Sequence, residues 1–217
     1  MFDQKWVLEE LVRERTAEVV QSRLEIVQRL GLASEYRDNE TGRHILRMSH
    51  SAALLAKRIG WSKERCNLLL NACPMHDLGK IGISDNILLK SDKLTDEERS
   101  IMDTHTTIGA DILAGSNNEL IETARIIALT HHEKWDGTGN PGKLAGKEIP
   151  IEGRIAAIVD VFDALISERP YKPAWPVDEA VKEIRKQSGI HFDPDLVEHF
   201  LAILPEVLRI SDQFPEP

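Results

Sequence analysis

The chain has little cysteine, few aromatic residues, no long apolar run and no excess of positive charge. Two of its 217 residues are cysteine, Cys66 and Cys73, too few for a disulfide framework. On one helix, seven residues would hold their Cα atoms about 10 Å apart, beyond disulfide reach. Reduced thiols in a cytoplasmic setting are therefore expected. No apolar stretch approaches the roughly 20 residues that cross a bilayer, so no membrane partner is expected. The opening MFDQKWVLEE lacks the apolar centre of a secretory signal. Lys and Arg number 27 against 36 Asp and Glu, a formal net charge of −9. That balance argues against a nucleic-acid polymer as partner, because phosphate backbones select basic surfaces. A small anionic ligand stays compatible, since bound divalent cations can dominate a local field. The ordinary apolar share, 41%, suits a globular domain large enough to bury a core.

Alternating strand patterns, internal repeats and low-complexity tracts are missing too, and helical periodicity fills their place. Leu8, Val12, Arg15, Val19, Ser22, Ile26, Leu30 and Ala33 recur at spacings of three and four through a charged stretch. This predicts a long N-terminal helix over residues 1–33 with an imperfect heptad seam. Two readings stay open: a parallel homodimer through that helix, or a helix packed on its own domain. A second helix is expected over 41–59, closed by Gly60 in the left-handed region. Ser62 is a good N-cap for a third running toward His76. Residues 79–92 read as loop. Thr95 and Glu98 form a capping box for a helix toward Ile112. Further helices are expected over 119–132, 155–166, 177–188 and 194–208, the last capped by Asp193 with Pro194 in its first turn. Residues 135–150, rich in glycine and proline, must be loop. The expected fold is all-α: a helical bundle over 34–217 preceded by the long helix.

Five of the eight histidines fall in clusters with acids. Glu40 and His44 share a helix face. His76 and Asp77 are adjacent, His105 sits in MDTHTTIG, and His131 and His132 end a helix as HHE. Asp160 lies in the apolar run IAAIVDVFDAL, where an unpaired carboxylate would be costly to bury. Each element alone is weak: a His-Asp dipeptide is common, and Glu40 with His44 alone reads as a solvated face. Their conjunction on several helices points to one converged site. Imidazole and carboxylate without thiolate suit iron, manganese or zinc. Eight ligands exceed one ion and suit two or three, with Asp77 bridging. Ions about 3.5–4 Å apart suit in-line displacement at phosphorus.

HDLGK (76–80), HHEKWDGTGNP (131–141) and RIAAIVDVFDALISERPYK (154–172) resemble the successive signatures of the HD-GYP phosphodiesterases, and EYRDNETGRHILR and GIHFDP also match. The resemblance covers about residues 35–200 with the motifs in the family's order. It implies an HD-GYP-type helical bundle with a multinuclear metal site of two or three divalent ions, commonly iron or manganese. It also implies a cyclic dinucleotide substrate, usually cyclic di-GMP, opened to pGpG and often cut further to GMP by a metal-activated hydroxide. The alternatives are another cyclic dinucleotide such as cyclic GMP-AMP, or a weakly active binding module. The implied ligands are Glu40, His44, His76, Asp77, His105, His131, His132 and Asp160, with Glu40 serving an additional ion. Lys80 matches a phosphate-contacting lysine, and Arg169 and Lys172 match a basic pair that holds substrate. One departure stands out: the family's GYP tripeptide reads Gly139-Asn140-Pro141; the tyrosine is not a ligand in the family pattern, so its loss does not exclude hydrolysis but bears on loop packing, substrate preference or contact with a partner protein. Trp135 and Trp175 flank this region and read as packing. His50, His191 and His199 lie outside the clusters and read as structural. The N-terminal stretch looks like the connector that follows a receiver domain in response-regulator members, so an upstream receiver is an implied partner.

Overall fold

A single helix, α1 (Phe2–Arg37), carries the whole charged N-terminal stretch and runs unbroken past residue 33. The structure, a computed structural model, describes residues 2–37, 42–168 and 173–215. The apolar seam of α1 is exposed at Leu8, Val12, Val19, Ile26 and Leu30, and the helix reaches the domain only near its end, where Val27 and Ser34 are buried. Gly31 makes that approach possible: a Cβ there would lie 2.3 Å from the Pro74 carbonyl oxygen.

Next come α2 (Gly42–Arg58) and α3 (Lys63–Ala72). A Schellman turn closes α2, with Trp61 N–H on Ala56 O and Gly60 N–H on Lys57 O, both at 3.1 Å. Gly60 adopts φ +91° there, as its lack of a side chain permits. Ser62 caps α3 as expected, but the helix does not reach His76. Pro74 has no N–H to continue the ladder and its ring crowds the preceding turn. The chain tightens into a 3₁₀ turn at Cys73–Met75 and a second at Leu78–Gly82. Both cysteines are buried and free. The expected loop thus holds the second 3₁₀ turn and a four-residue helix, α4 (Asp85–Leu88).

The Thr95–Glu98 capping box forms, yet the expected single helix is two: α5 (Asp96–Asp103) and α6 (His105–Ile112), broken at Thr104. Around the break, the hydroxyls of Thr104, Thr106 and Thr107 each donate to the carbonyl three residues back, at 2.6, 2.9 and 2.9 Å. Such back-bonding competes with the helical ladder and bends it. The remaining helices are α7 (Glu119–Thr130), α8 (Ile151–Ile166), α9 (Val177–Lys186), α10 (Pro194–Ala202) and α11 (Leu204–Gln213). Asp193 caps α10, accepting from Asp195 N–H at 3.0 Å. The expected single helix over 194–208 breaks at Ile203, because Pro205 must occupy a first turn.

The core lies between α2, α3, α7 and α8, where Leu55, Leu69, Ile127, Ile155 and Ile158 are fully buried. Alanines at 52, 72, 124, 128 and 156 let the helix axes close up. Phe162 of α8 meets Phe200 of α10 edge to face at 5.0 Å. Among the described residues there is no strand, only two isolated bridges, and no helix is long and apolar enough to cross a membrane.

Candidate metal centre

The histidine and aspartate side chains converge where α2, α6, α7 and α8 meet the 76–82 turns. Asp77, His105, His131 and His132 form one group of potential ligand atoms within 4.8 Å of one another, and His44, His76 and Asp160 form another. Asp77 lies between them. Its Oδ1 is 3.2 Å from His105 Nε2 and 3.3 Å from His131 Nε2, and its Oδ2 is 3.3 Å from His76 Nε2. Lys80 Nζ approaches that same Oδ2 at 2.7 Å. Glu40, Arg169 and Lys172 lie outside the described residues.

Local breaks in the helices aim these groups. The Pro74 turn places His76 and Asp77 on a tight corner, and the threonine break at 104 turns His105 inward. Close approach of two backbones seals the corner: a Cβ on Gly79 would sit 1.8 Å from His105 O. The end of α1 braces the same segment from outside. Ser34 donates its hydroxyl to Asp77 O at 2.8 Å. The Arg37 guanidinium donates to the carbonyls of Lys80 at 3.0 Å, Ile83 at 2.6 Å and Ile81, and to the Asp85 carboxylate at 2.9 Å.

The hydrogen bonds fix the imidazole tautomers. Nδ1 of His76 donates to Cys73 O at 3.0 Å, that of His105 to Met102 O at 2.7 Å, and that of His131 to Ile127 O and Ala128 O at 3.1 Å. Each ring therefore presents Nε2 inward, where it meets carboxylate oxygen or another imidazole. His105 Nε2 and His131 Nε2 stand 3.5 Å apart, and buried Asp77 Oδ1 makes no well-formed hydrogen bond among the described residues. Lone pairs facing lone pairs at these distances form a donor set that could hold a cation. In its absence a proton serves: burial lowers the His105 pKa, but the Asp77 carboxylate outweighs it and raises the value above the ordinary one. Burial holds His131 below its ordinary value, and burial with the neighbouring His131 holds His132 well below. Both rings are thus neutral and able to ligate. Burial opposes charge on Asp77 and Asp160, yet His76 and Lys80 hold Asp77, and His44 holds Asp160, below the carboxylate range. The donor set fits divalent cations.

Several supporting residues escaped the sequence reading. Asp163, 5% exposed, accepts from His44 Nδ1 at 2.8 Å and from Arg47 Nε and Nη2 at 2.7 and 2.9 Å. A carboxylate behind a ligand imidazole fixes its tautomer and orientation. The signal was there: Asp163 stands one helical turn after Asp160, on the same face. Buried Glu133 accepts from Gly142 and Leu144 N–H at 2.6 and 3.0 Å and so shapes the 135–150 loop. His191, read as structural, borders the site, and burial lowers its pKa to about 4. Trp175 packs against the core, and Trp135 lies under the Arg154 guanidinium at 5.8 Å. Asn140, in the place of the family tyrosine, donates its amide to Asp103 Oδ2 at 2.9 Å.

A cavity of about 680 Å³ opens above these groups. His44, Asp77, Lys80, His105, His132 and Asp160 line it, together with Arg99, Asp103, Lys134, Asn140 and His191.

A family model described as an HD domain matches residues 14–196. The cyclic di-GMP phosphodiesterase response regulator RpfG of Xanthomonas campestris is 44% identical over 95% of this chain and 55% of its own length. A cyclic di-GMP phosphodiesterase of Thermotoga maritima is 45% identical over 94% of this chain and 56% of its own. A 3'3'-cGAMP-specific phosphodiesterase of Vibrio cholerae is 43% identical over 88% and 37%. The chain thus spans about half the length of the first two relatives. The crystal structure of the cyclic GMP-AMP phosphodiesterase V-cGAP3 shares the fold, with a TM-score of 0.64 at 23% identity over 89% of this chain and 54% of that one. Helical architecture and the matched family model agree: the chain belongs to the HD domain family.

Proposed function

We propose that the chain is a metal-dependent phosphodiesterase that opens cyclic di-GMP to pGpG, with GMP the product where a second cut follows. One observation supports this most: two groups of imidazole and carboxylate ligands adjoin where Asp77 of one lies 3.3 Å from His76 of the other, beside the Lys80 ammonium and on an open cavity. Asp77, His105, His131 and His132 would hold one ion, and His44, His76 and Asp160 with the shared Asp77 a second. Glu40 would serve a third, and iron or manganese suits the donors. When bound, such cations supply a nucleophile near neutral pH and offset charge on the phosphoryl oxygens. Lys80 adds a point charge where the phosphate sits. Arg169 grips phosphate or a guanine edge through its planar fork, and Lys172 adds a further charge. Asp163 keeps His44 aimed, and Glu133 holds the loop that bears Asn140.

In this reading residues 34–217 are the catalytic domain and residues 1–33 a connector. The exposed seam of α1 pairs two copies, and a receiver domain upstream, as in the response-regulator relative, supplies the signal in a cytoplasmic setting. Sedimentation of the chain with and without residues 1–33 tests the pairing; an unchanged mass removes it.

A second reading, cleavage of 3'3'-cGAMP, is favoured by the relatives so named. Anaerobic purification with metal analysis, then product chromatography on both substrates, decides. Two or more ions per chain with pGpG formed is the expected result. A metal-loaded but inert protein would refute the enzymatic reading.

A further inference from the structure

The lining of the cavity carries a pair of acceptors that the hydrolytic reading leaves unused. Asp103 ends α5, two residues before His105, and Asn140 lies in the loop held by Glu133. The Asn140 amide donates to Asp103 Oδ2 at 2.9 Å. This fixes which way the amide points: its NH₂ is engaged and its oxygen is turned away. Asp103 Oδ1 and Asn140 Oδ1 are then left as acceptors without a donor among the described residues, on two hydrogen-bonded residues that line the same cavity as Asp77, His105 and His132.

Two acceptors on hydrogen-bonded neighbours, one of them anionic, repel a phosphate and call for a group with two adjacent donors. Guanine presents such a group, N1–H next to N2–H₂ on its pairing edge. Adenine offers acceptor N1 beside donor N6, so one of its atoms would face an acceptor. A site built to hydrogen-bond donors rejects an analogue lacking them, because its own polar atoms are left unpaired. Arg99, one helical turn before Asp103, lines the same cavity. Resting on the cyclic-dinucleotide reading above, we propose that the Asp103–Asn140 pair reads the edge of a guanine and selects guanine over adenine in the bound substrate.

The test is equilibrium binding by calorimetry of slowly hydrolysed phosphorothioate analogues of cyclic di-GMP and cyclic di-AMP to the full, manganese-loaded chain. Ribose and phosphate are common to both, so only a base effect separates them. The wild type is expected to prefer the guanine ligand. Asp103→Asn, which swaps an acceptor for a donor, should erase about tenfold to a hundredfold of that preference while leaving cyclic di-AMP binding unchanged. Asn140→Ala should erase part of it and supplies the same readout should Asp103→Asn fail to fold. Equal losses for both ligands, or no wild-type preference, would overturn the inference alone and leave the pair as a loop staple. Failure of the wild type to bind either ligand would overturn the function reading and the inference with it.

Discussion

Replacing Asp163 by Asn keeps the shape of the side chain and removes its charge. The carboxylate is buried and accepts from His44, from two nitrogens of Arg47 and, at 3.3 Å, from the Ser167 hydroxyl. Arg47 is itself 3% exposed, so the variant removes the carboxylate that receives its Nε and Nη2. Breaking a buried pair from one side costs about 3–5 kcal/mol. For a chain of this size each kcal/mol shifts Tm by about 2–4 °C, so a drop of about 10 °C is expected. Only one acceptor oxygen then remains for His44 and Arg47, so the His44 ring is held less firmly, and such second-layer losses weaken metal affinity by about 10–100-fold. Thermal unfolding of the metal-free protein reads the first effect, and metal titration the second. Adding Arg47→Met should recover much of the stability but none of the metal affinity, because the cation is gone while His44 stays loosely held. A single variant within about 0.5 kcal/mol of wild type, with no recovery in the double variant, would refute the buried-pair argument.

Lys80→Ala should lower turnover by about 10²–10³-fold while metal content stays near wild type, since Lys80 is not a ligand; loss of the metals would overturn its role. Gly79→Ala should destabilise by more than about 3 kcal/mol in urea unfolding, because its Cβ meets the α6 backbone at His105 and Gly109, which cannot yield; near-wild-type stability would disprove that close approach. His191 gives a pH signature. The unfolded chain takes up a proton near pH 6.5 that the folded chain refuses until about 4, so this stability is full above pH 6.5 and lost as pH falls toward 4. Between pH 7 and 5, His191→Gln should therefore lose on the order of 1–2 kcal/mol less stability than wild type; identical slopes would refute the burial argument.

Much of the fold could be read from the chain because periodicity and caps are local signals: Ser62, Thr95 with Glu98, Gly60 and Asp193 all act within a few residues. The breaks were harder to see. Pro74 and Pro205 sat inside apolar patterns that favoured continuous helices, and the break at Thr104 depends on three hydroxyls choosing carbonyls over water. The candidate ligands announced themselves by residue type and by family motif. Asp163, Glu133 and Asp103 did not, since their parts depend on partners 119, 9 and 37 residues away that only the folded chain brings near. Glu40, Arg169 and Lys172 still rest on the motif alone.

The brace between α1 and the 77–83 segment has a mechanical consequence. Gly31 seats the helix on Pro74, and Ser34 and Arg37 grip the carbonyls beyond it, so the junction works as a splint without slack. A torque arriving along the helix cannot dissipate in a hinge. It must either carry the Asp77 and Lys80 backbone with it or tear the guanidinium from its acceptors together. One residue of slip, about 100° of helix rotation, would face Arg37 away from every one of them. Cutting the chain at residue 33 would therefore saw through the splint itself, leaving Ser34 and Arg37 on a stub with no shaft to hold them.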